Sequence, residues 1–106
     1  MQNSKNVSDT LDLLIKALCA DYARREKIIL SMSAERRVDN ELRYLNFKIF
    51  DAVAEIVGET RAAQFIEEIG KSLGYAKSKV DDISEGTYKR YKWLAKKNIA
   101  KRLYLH

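Results

Sequence analysis

Residues 66–83 read IEEIGKSLGYAKSKVDDI, and the reading of this stretch decides how the whole chain is organised. Ile69, Leu73, Val80 and Ile83 fall at the spacing of a helix-turn-helix, with Gly70 at the helix crossing and Gly74 in the turn. Two short helices meeting at roughly 90–120° pack closely only where a contact residue lacks bulk. Gly70 lacks it, at a cost of about 1 kcal/mol in helix propensity. Gly74 is placed to take the positive φ that stops a helix sharply. Val80 and Ile83, three apart, return to the small core of Ile69 and Leu73. Tyr75 caps that core with its ring and keeps its hydroxyl in water. The same spacing also fits an ordinary helix–glycine–helix corner in which both apolar pairs are simply core.

Outward from this stretch, the 106 residues suit one domain, with no internal repeat, low-complexity run or linker to divide them. Nearly half the residues are apolar and a third charged, the composition of a foldable soluble chain. Proline is absent and glycine occurs only at 58, 70, 74 and 86. These features predict an all-α fold: an antiparallel helical hairpin over residues 8–57, then a helix-turn-helix-like pair and a basic C-terminal helix over 60–104.

Residues 1–7 are polar and read as frayed. Ser8 or Thr10 is a candidate cap for a first helix, whose stripe of Leu11, Leu14, Ile15, Leu18, Tyr22 and Ile29 runs to residue 30. Arg24, Arg25, Glu26 and Lys27 are placed on its wet side. After a turn at 31–33 the second helix is predicted over 34–57. Its seam of Val38, Leu42, Leu45, Ile49, Ala52 and Ile56 has coiled-coil-like steps of four and three. Phe47, Phe50 and Val53 widen that seam, enough for a second neighbour or for the partner of a homodimer formed through the hairpin. Gly58 ends the helix and Thr60 caps the third, with Ala63, Phe65, Ile66, Ile69 and Leu73 inward. A short helix over 76–83 follows, and Ser84 or Thr87 starts the last, which runs to residue 104.

In that last helix Tyr88, Tyr91, Ala95, Ile99 and Leu103 share the docking side, with Arg90, Lys97 and Lys101 roughly opposite. Trp93, Ala100 and Tyr104 form a strip between them, and an aromatic at helical spacing reads first as packing. After Ser84 there are seven basic residues against Glu85 alone, +6, which leaves −1 for the rest of a chain whose net charge is +5. Such asymmetry points to a polyanionic partner.

Residue chemistry argues against catalysis and against a cofactor. His106 is the only histidine and ends the sequence. No His/Cys cluster has metal-ligand spacing, and no glycine-rich phosphate loop occurs. Cys19, the single cysteine, lies on the apolar side of a helix and reads as a small core residue. Glu67–Glu68 and Asp81–Asp82 are neighbours in sequence, so on helices they diverge, and they read as solvated surface. With no membrane-length apolar run or secretory segment, a cytoplasmic location follows by default.

Double-stranded DNA is the partner these features favour. In a helix-turn-helix the second helix enters the major groove, which offers Lys77, Ser78 and Lys79 to bases or phosphates. Asp81 and Asp82 oppose the phosphate field there. The larger basic surface, Lys89, Arg90, Lys97 and Lys101, belongs to the following helix and would track phosphates.

At these residues two resemblances emerge. IEEIGKSLGYAKSKV resembles the helix-turn-helix of region four of primary sigma factors. ISEGTYKRYKWLAKKNIAKRL resembles the close of phage late-transcription activators of the ArpU type. Together they cover residues 66–104. The first makes 76–83 the recognition helix; the second places recognition at 84–92, with Glu85, Thr87, Lys89 and Arg90 toward the bases. Both imply a small DNA-binding regulator from a phage or other mobile element. The alternative is a helical protein-interaction module, an inhibitor or adaptor that occludes a protein partner through the first two helices. A structural role in which the basic helix meets acidic protein surface is a third.

Overall fold

The computed structural model describes the backbone of residues 2–38 and 40–105, and the side chains of 9–37 and 40–105. Among these the chain is all-α. The elements are α1 (Gln2–Ala20), α2 (Tyr22–Leu30), α3 (Ala34–Val38), α4 (Glu41–Val57), α5 (Glu59–Gly70), a single 3-10 turn (Tyr75–Lys77) and α6 (Glu85–Arg102). The Asp21 amide donates to the Ala17 carbonyl at 3.1 Å and the Arg25 amide to the Asp21 carbonyl at 3.1 Å, so α1 and α2 form one rod. The rod starts at Gln2 rather than near residue 8, since no glycine or proline before Thr10 interrupts it.

The rod and α4 form the two arms of the hairpin. α4 packs against α2, α5 and α6, while α1 crosses α5 and α6. The expected second helix is divided: Asn40 is extended, and its side chain accepts from the Leu42 amide at 2.8 Å to cap α4. Arg37 turns back from α3 and donates to the carbonyls of Ile29, Leu30 and Met32, which satisfies the open end of α2. Val38, expected in the seam, lies outside the described side chains. Gly58 links α4 to α5 in one residue, with its φ of +91° in the region that favours glycine.

Ile49, Ala52, Val53 and Val57 of α4 meet Phe65, Ile66 and Ile69 of α5 and Tyr88, Ala95 and Ile99 of α6, all buried. Cys19 is buried as expected, and burial pushes its thiol up to about 12 against the opposing pull of Arg25 and Lys96. Ala62 rather than Ala63 points inward on α5. Arg25 corrects its expected place in water, being only 3% exposed. Its Nε donates to Asn46 Oδ1 at 2.6 Å and another guanidinium nitrogen to the Leu18 carbonyl at 2.5 Å. Asn46 in turn donates to the Tyr22 carbonyl and Glu26. Buried polar groups stay favourable only when paired like this, and the network joins the rod to α4.

Gly70 faces the rod, and a Cβ there would lie 2.6 Å from the Ala20 backbone nitrogen and 2.7 Å from its Cα. Two backbones cannot yield as a flexible side chain would. Gly70→Ala is therefore expected to lose about 1–3 kcal/mol of stability from overpacking, even though alanine favours helix. In contrast, Gly86 has nothing within 4 Å of an added Cβ, so Gly86→Ala should gain up to about 1 kcal/mol. Urea unfolding of the two variants beside the parent checks both signs.

Candidate nucleic-acid interface

The helix expected over 76–83 does not form. After the 3-10 turn, Ser78 is extended at φ −73° and ψ 147° and the chain runs without helix to the Ser84 cap of α6. Glu68 is the physical reason. Its carboxylate, 0% exposed, accepts from Ser78 Oγ at 2.6 Å, the Lys79 amide at 2.8 Å, Tyr88 OH at 2.7 Å and Gln64 Nε2 at 2.6 Å. Ser78 Oγ also accepts from the Val80 amide at 2.9 Å. Such side-chain bonds to nearby backbone offer the segment an alternative to helix. Far from being solvated, Glu68 is what the α5–α6 connection folds around. Burial by itself raises its pKa, but the bonds from Ser78, Lys79, Tyr88 and Gln64 outweigh that and hold it below its ordinary value.

Other contacts tighten the same connection. Val80 is buried, Tyr75 donates to the Ile83 carbonyl at 3.0 Å instead of to water, and Arg61 pairs with Asp82 at 2.8 Å. α5 ends at Gly70, and the chain turns at Ser72, not Gly74. Ser72 has φ +56°, its amide bonds the Ile69 carbonyl and the Leu73 amide the Glu68 carbonyl, a Schellman arrangement. Gly74 is extended. Of the three residues expected on a recognition helix, Ser78 is committed to Glu68, while Lys77 and Lys79 are exposed on the loop.

α6 sorts its cations by face. Tyr88, Ala95 and Ile99 are buried, with Tyr91 and Leu103 packed against the core, as the spacing predicted. Ala100 is buried too, at 5% exposure, rather than sharing the strip of Trp93 and Tyr104. Three flanking cations hold the helix to the body. Lys92 donates to the Leu73 carbonyl at 2.5 Å, Lys96 to Asp12 at 3.0 Å, and Arg102 to Asp51 and Glu55. Burial and the nearby Lys96 and Lys16 lower the pKa of Lys92.

The remaining cations face outward. Lys89, Arg90, Lys97 and Lys101 are all exposed. Lys89 pairs with Glu85 at 2.9 Å, but at 69% and 57% side-chain exposure such a pair contributes little and is readily exchanged. Thr87 is occupied with the Ser84 cap. At 100° per residue Arg90, Trp93, Lys97 and Lys101 form one stripe, and Tyr104 follows just past the end of α6. Trp93 is 58% exposed with the Lys97 ammonium 4.5 Å from its ring centroid, so it belongs to the surface and not to packing. Nothing in the sequence distinguishes Lys92, Lys96 and Arg102, which are tied to the body, from the outward cations except their angular position relative to Tyr88, Ala95 and Ile99.

Among the described residues no group of three His, Cys, Asp or Glu could hold a metal ion, and no helix is long and apolar enough to cross a membrane. His106 lies outside the described residues. Compared with protein-family models, curated proteins and solved structures, the chain matches none of them.

The Glu68 network has a pH signature. Because the folded-state pKa is depressed, its stabilising contribution is complete above the ordinary value of 4.5 and disappears as pH falls below that. Glu68→Gln confronts several donors with one fewer acceptor, and is expected to cost about 1–3 kcal/mol near neutral pH. Urea midpoints should also show a shallower loss of stability in the variant than in the parent between about pH 5 and pH 3.

Proposed function

We propose that this protein is a small DNA-binding regulator that meets the phosphate backbone with the outer face of α6. The observation that carries the reading is the division of cations on one helix. Lys92, Lys96 and Arg102 are consumed by the fold, whereas Arg90, Lys97 and Lys101 stand on one exposed stripe with Lys89 beside it. An unopposed row of cations on a rigid helix gains from counterion release when it lies along a polyanion. With no helix over 76–83, the activator-like register is the better supported of the two, since a capped helix begins at Glu85. Within it Arg90 is the residue best placed to approach a base edge, because Thr87 serves the cap. A phage or mobile-element origin rests on that resemblance alone.

A second reading, a protein-interaction module, is favoured by the rod, where Leu13 at 66% and Leu30 at 69% exposure stand in solvent with the half-exposed Leu14. Such leucines suit an apolar partner or a second copy of the chain.

The two readings separate in one titration. Duplex affinity followed by fluorescence anisotropy should fall with salt at a log–log slope of roughly −3.6 if about four phosphates are neutralised. Arg90→Glu with Lys97→Glu should abolish binding at moderate salt without changing the circular dichroism spectrum, while Leu13→Ser with Leu30→Ser leaves it intact. A duplex affinity indifferent to both salt and the charge reversals overturns the DNA reading.

A further inference from the structure

All four exposed large aromatic side chains among the described residues border the outer face of α6: Trp93 at 58%, Tyr44 and Phe47 at 63% each, and Tyr104 at 80%. Tyr44 and Phe47 project from α4, and with Lys48, Lys101, Arg102 and Tyr104 they line a surface hollow of about 620 Å³. A second hollow, lined by Ile56, Leu94, Asn98 and the two lysines Lys97 and Lys101, adjoins it. A third holds Trp93, Lys96 and Lys97 together with Asp9 and Asp12, the latter neutralised by Lys96 and Lys16. Lys97 stands between the third hollow, on the α1 side, and the second, on the α4 side, and Lys101 is shared by the second and the first. The three therefore form a path across the outer face of α6 with aromatic rings at both ends.

Each end pairs rings with an ammonium. Lys97 lies 4.5 Å from the Trp93 centroid, and Lys48 lies 4.6 Å from that of Tyr44 and 5.6 Å from that of Tyr104. Two carboxylates, Asp51 and Glu55, also reach this end, and both are engaged by Arg102. Lys48, Lys97 and Lys101 remain for a ligand.

Tyr104 adds an independent observation. It occupies the left-handed position of a Schellman close, with φ +57°, its amide on the Lys101 carbonyl and the Leu105 amide on the Ala100 carbonyl. Glycine is the residue that such a position favours, and a bulky side chain there is strained. The ring recovers almost nothing by burial, being 80% exposed. Strain held at a residue that contributes no packing points to a use outside the fold.

We infer that this groove binds single-stranded nucleic acid in preference to duplex, with unpaired bases stacked on Trp93 at one end and on Tyr104, Tyr44 and Phe47 at the other. The inference rests on the proposed DNA-binding reading and specifies its substrate class. Rings standing off a protein surface cannot reach bases already stacked inside a duplex, whereas an open strand offers a π-face at every nucleotide. Lys97 and Lys101, about 6 Å apart along the helix axis, take the phosphates between the stacked bases. Trp93 is the chain's only tryptophan, so its fluorescence reports stacking directly.

The test uses the full chain with an oligothymidylate of about a dozen nucleotides and a duplex of equal length. The single strand should bind roughly tenfold more tightly than the duplex and quench Trp93. Phe47→Ala and Tyr104→Gly should each weaken the single strand by roughly tenfold and leave the duplex unchanged. Neither threatens the fold: Phe47 is exposed, and glycine relieves the strain at 104, which unfolding midpoints verify. Equal affinity for the two DNAs, with both substitutions silent, overturns this inference and leaves duplex binding standing. Tighter binding of the single strand that survives both substitutions overturns it as well, since the rings are then not the site. If neither DNA binds, this inference and the DNA-binding reading fall together.

Discussion

One buried carboxylate organises the second half of this molecule. Glu68 sits on α5, yet its four donors come from α5 itself, the connecting loop and α6. An ionised group without water survives only when its acceptor sites are filled, so burying Glu68 requires the loop to arrive with Ser78 and the Lys79 amide in place. The same requirement draws Tyr88 OH inward and so fixes the rotation of α6 about its axis. Tyr88 packs between the tilted rings of Phe65 and Tyr75, with centroids 5.3 and 5.5 Å away. That rotation decides which cations face solvent.

Polar contacts at the far end repeat the arrangement on a smaller scale. Asn98 donates to the Ala52 carbonyl and to Glu55, and Arg102 grips Asp51 and Glu55, so the end of α6 is aligned against α4. With both ends held, Arg90, Trp93, Lys97 and Lys101 lie on a surface whose geometry the fold itself sets. Preorganisation of this kind lowers the ordering cost of association. Few of the contacts involve the exposed stripe itself, so its side chains are open to substitution without loss of the fold.

Helix periodicity made much of this legible. The all-α class, the hairpin, the buried face of α6 and the close approach at Gly70 all follow from apolar spacing and glycine placement. What escaped was decided by single polar side chains whose partners are distant in sequence. Arg25 looked like solvent-facing charge because Asn46, its partner, lies on another helix. Glu68 looked like surface beside Glu67 because nothing local announces four incoming donors. The helix over 76–83 had the right apolar pair in Val80 and Ile83, but a serine bound to a buried carboxylate displaced it. Likewise Ser72, not a glycine, turns the chain at the end of α5. The stripe of Arg90, Lys97 and Lys101 was visible; that Trp93 would join it, rather than the core, depended on tertiary packing around Ala100.

Cys19 gives the fold a reporter of its own. It is 2% exposed beneath the crossing of the rod over α5, with a thiol raised to about 12, so reagents that need thiolate find almost none in the closed molecule. Modification must wait for an opening that exposes the sulfur, and its rate then reports how often that opening occurs. A single sulfur atom thus serves as a clock for the opening of the core at this crossing.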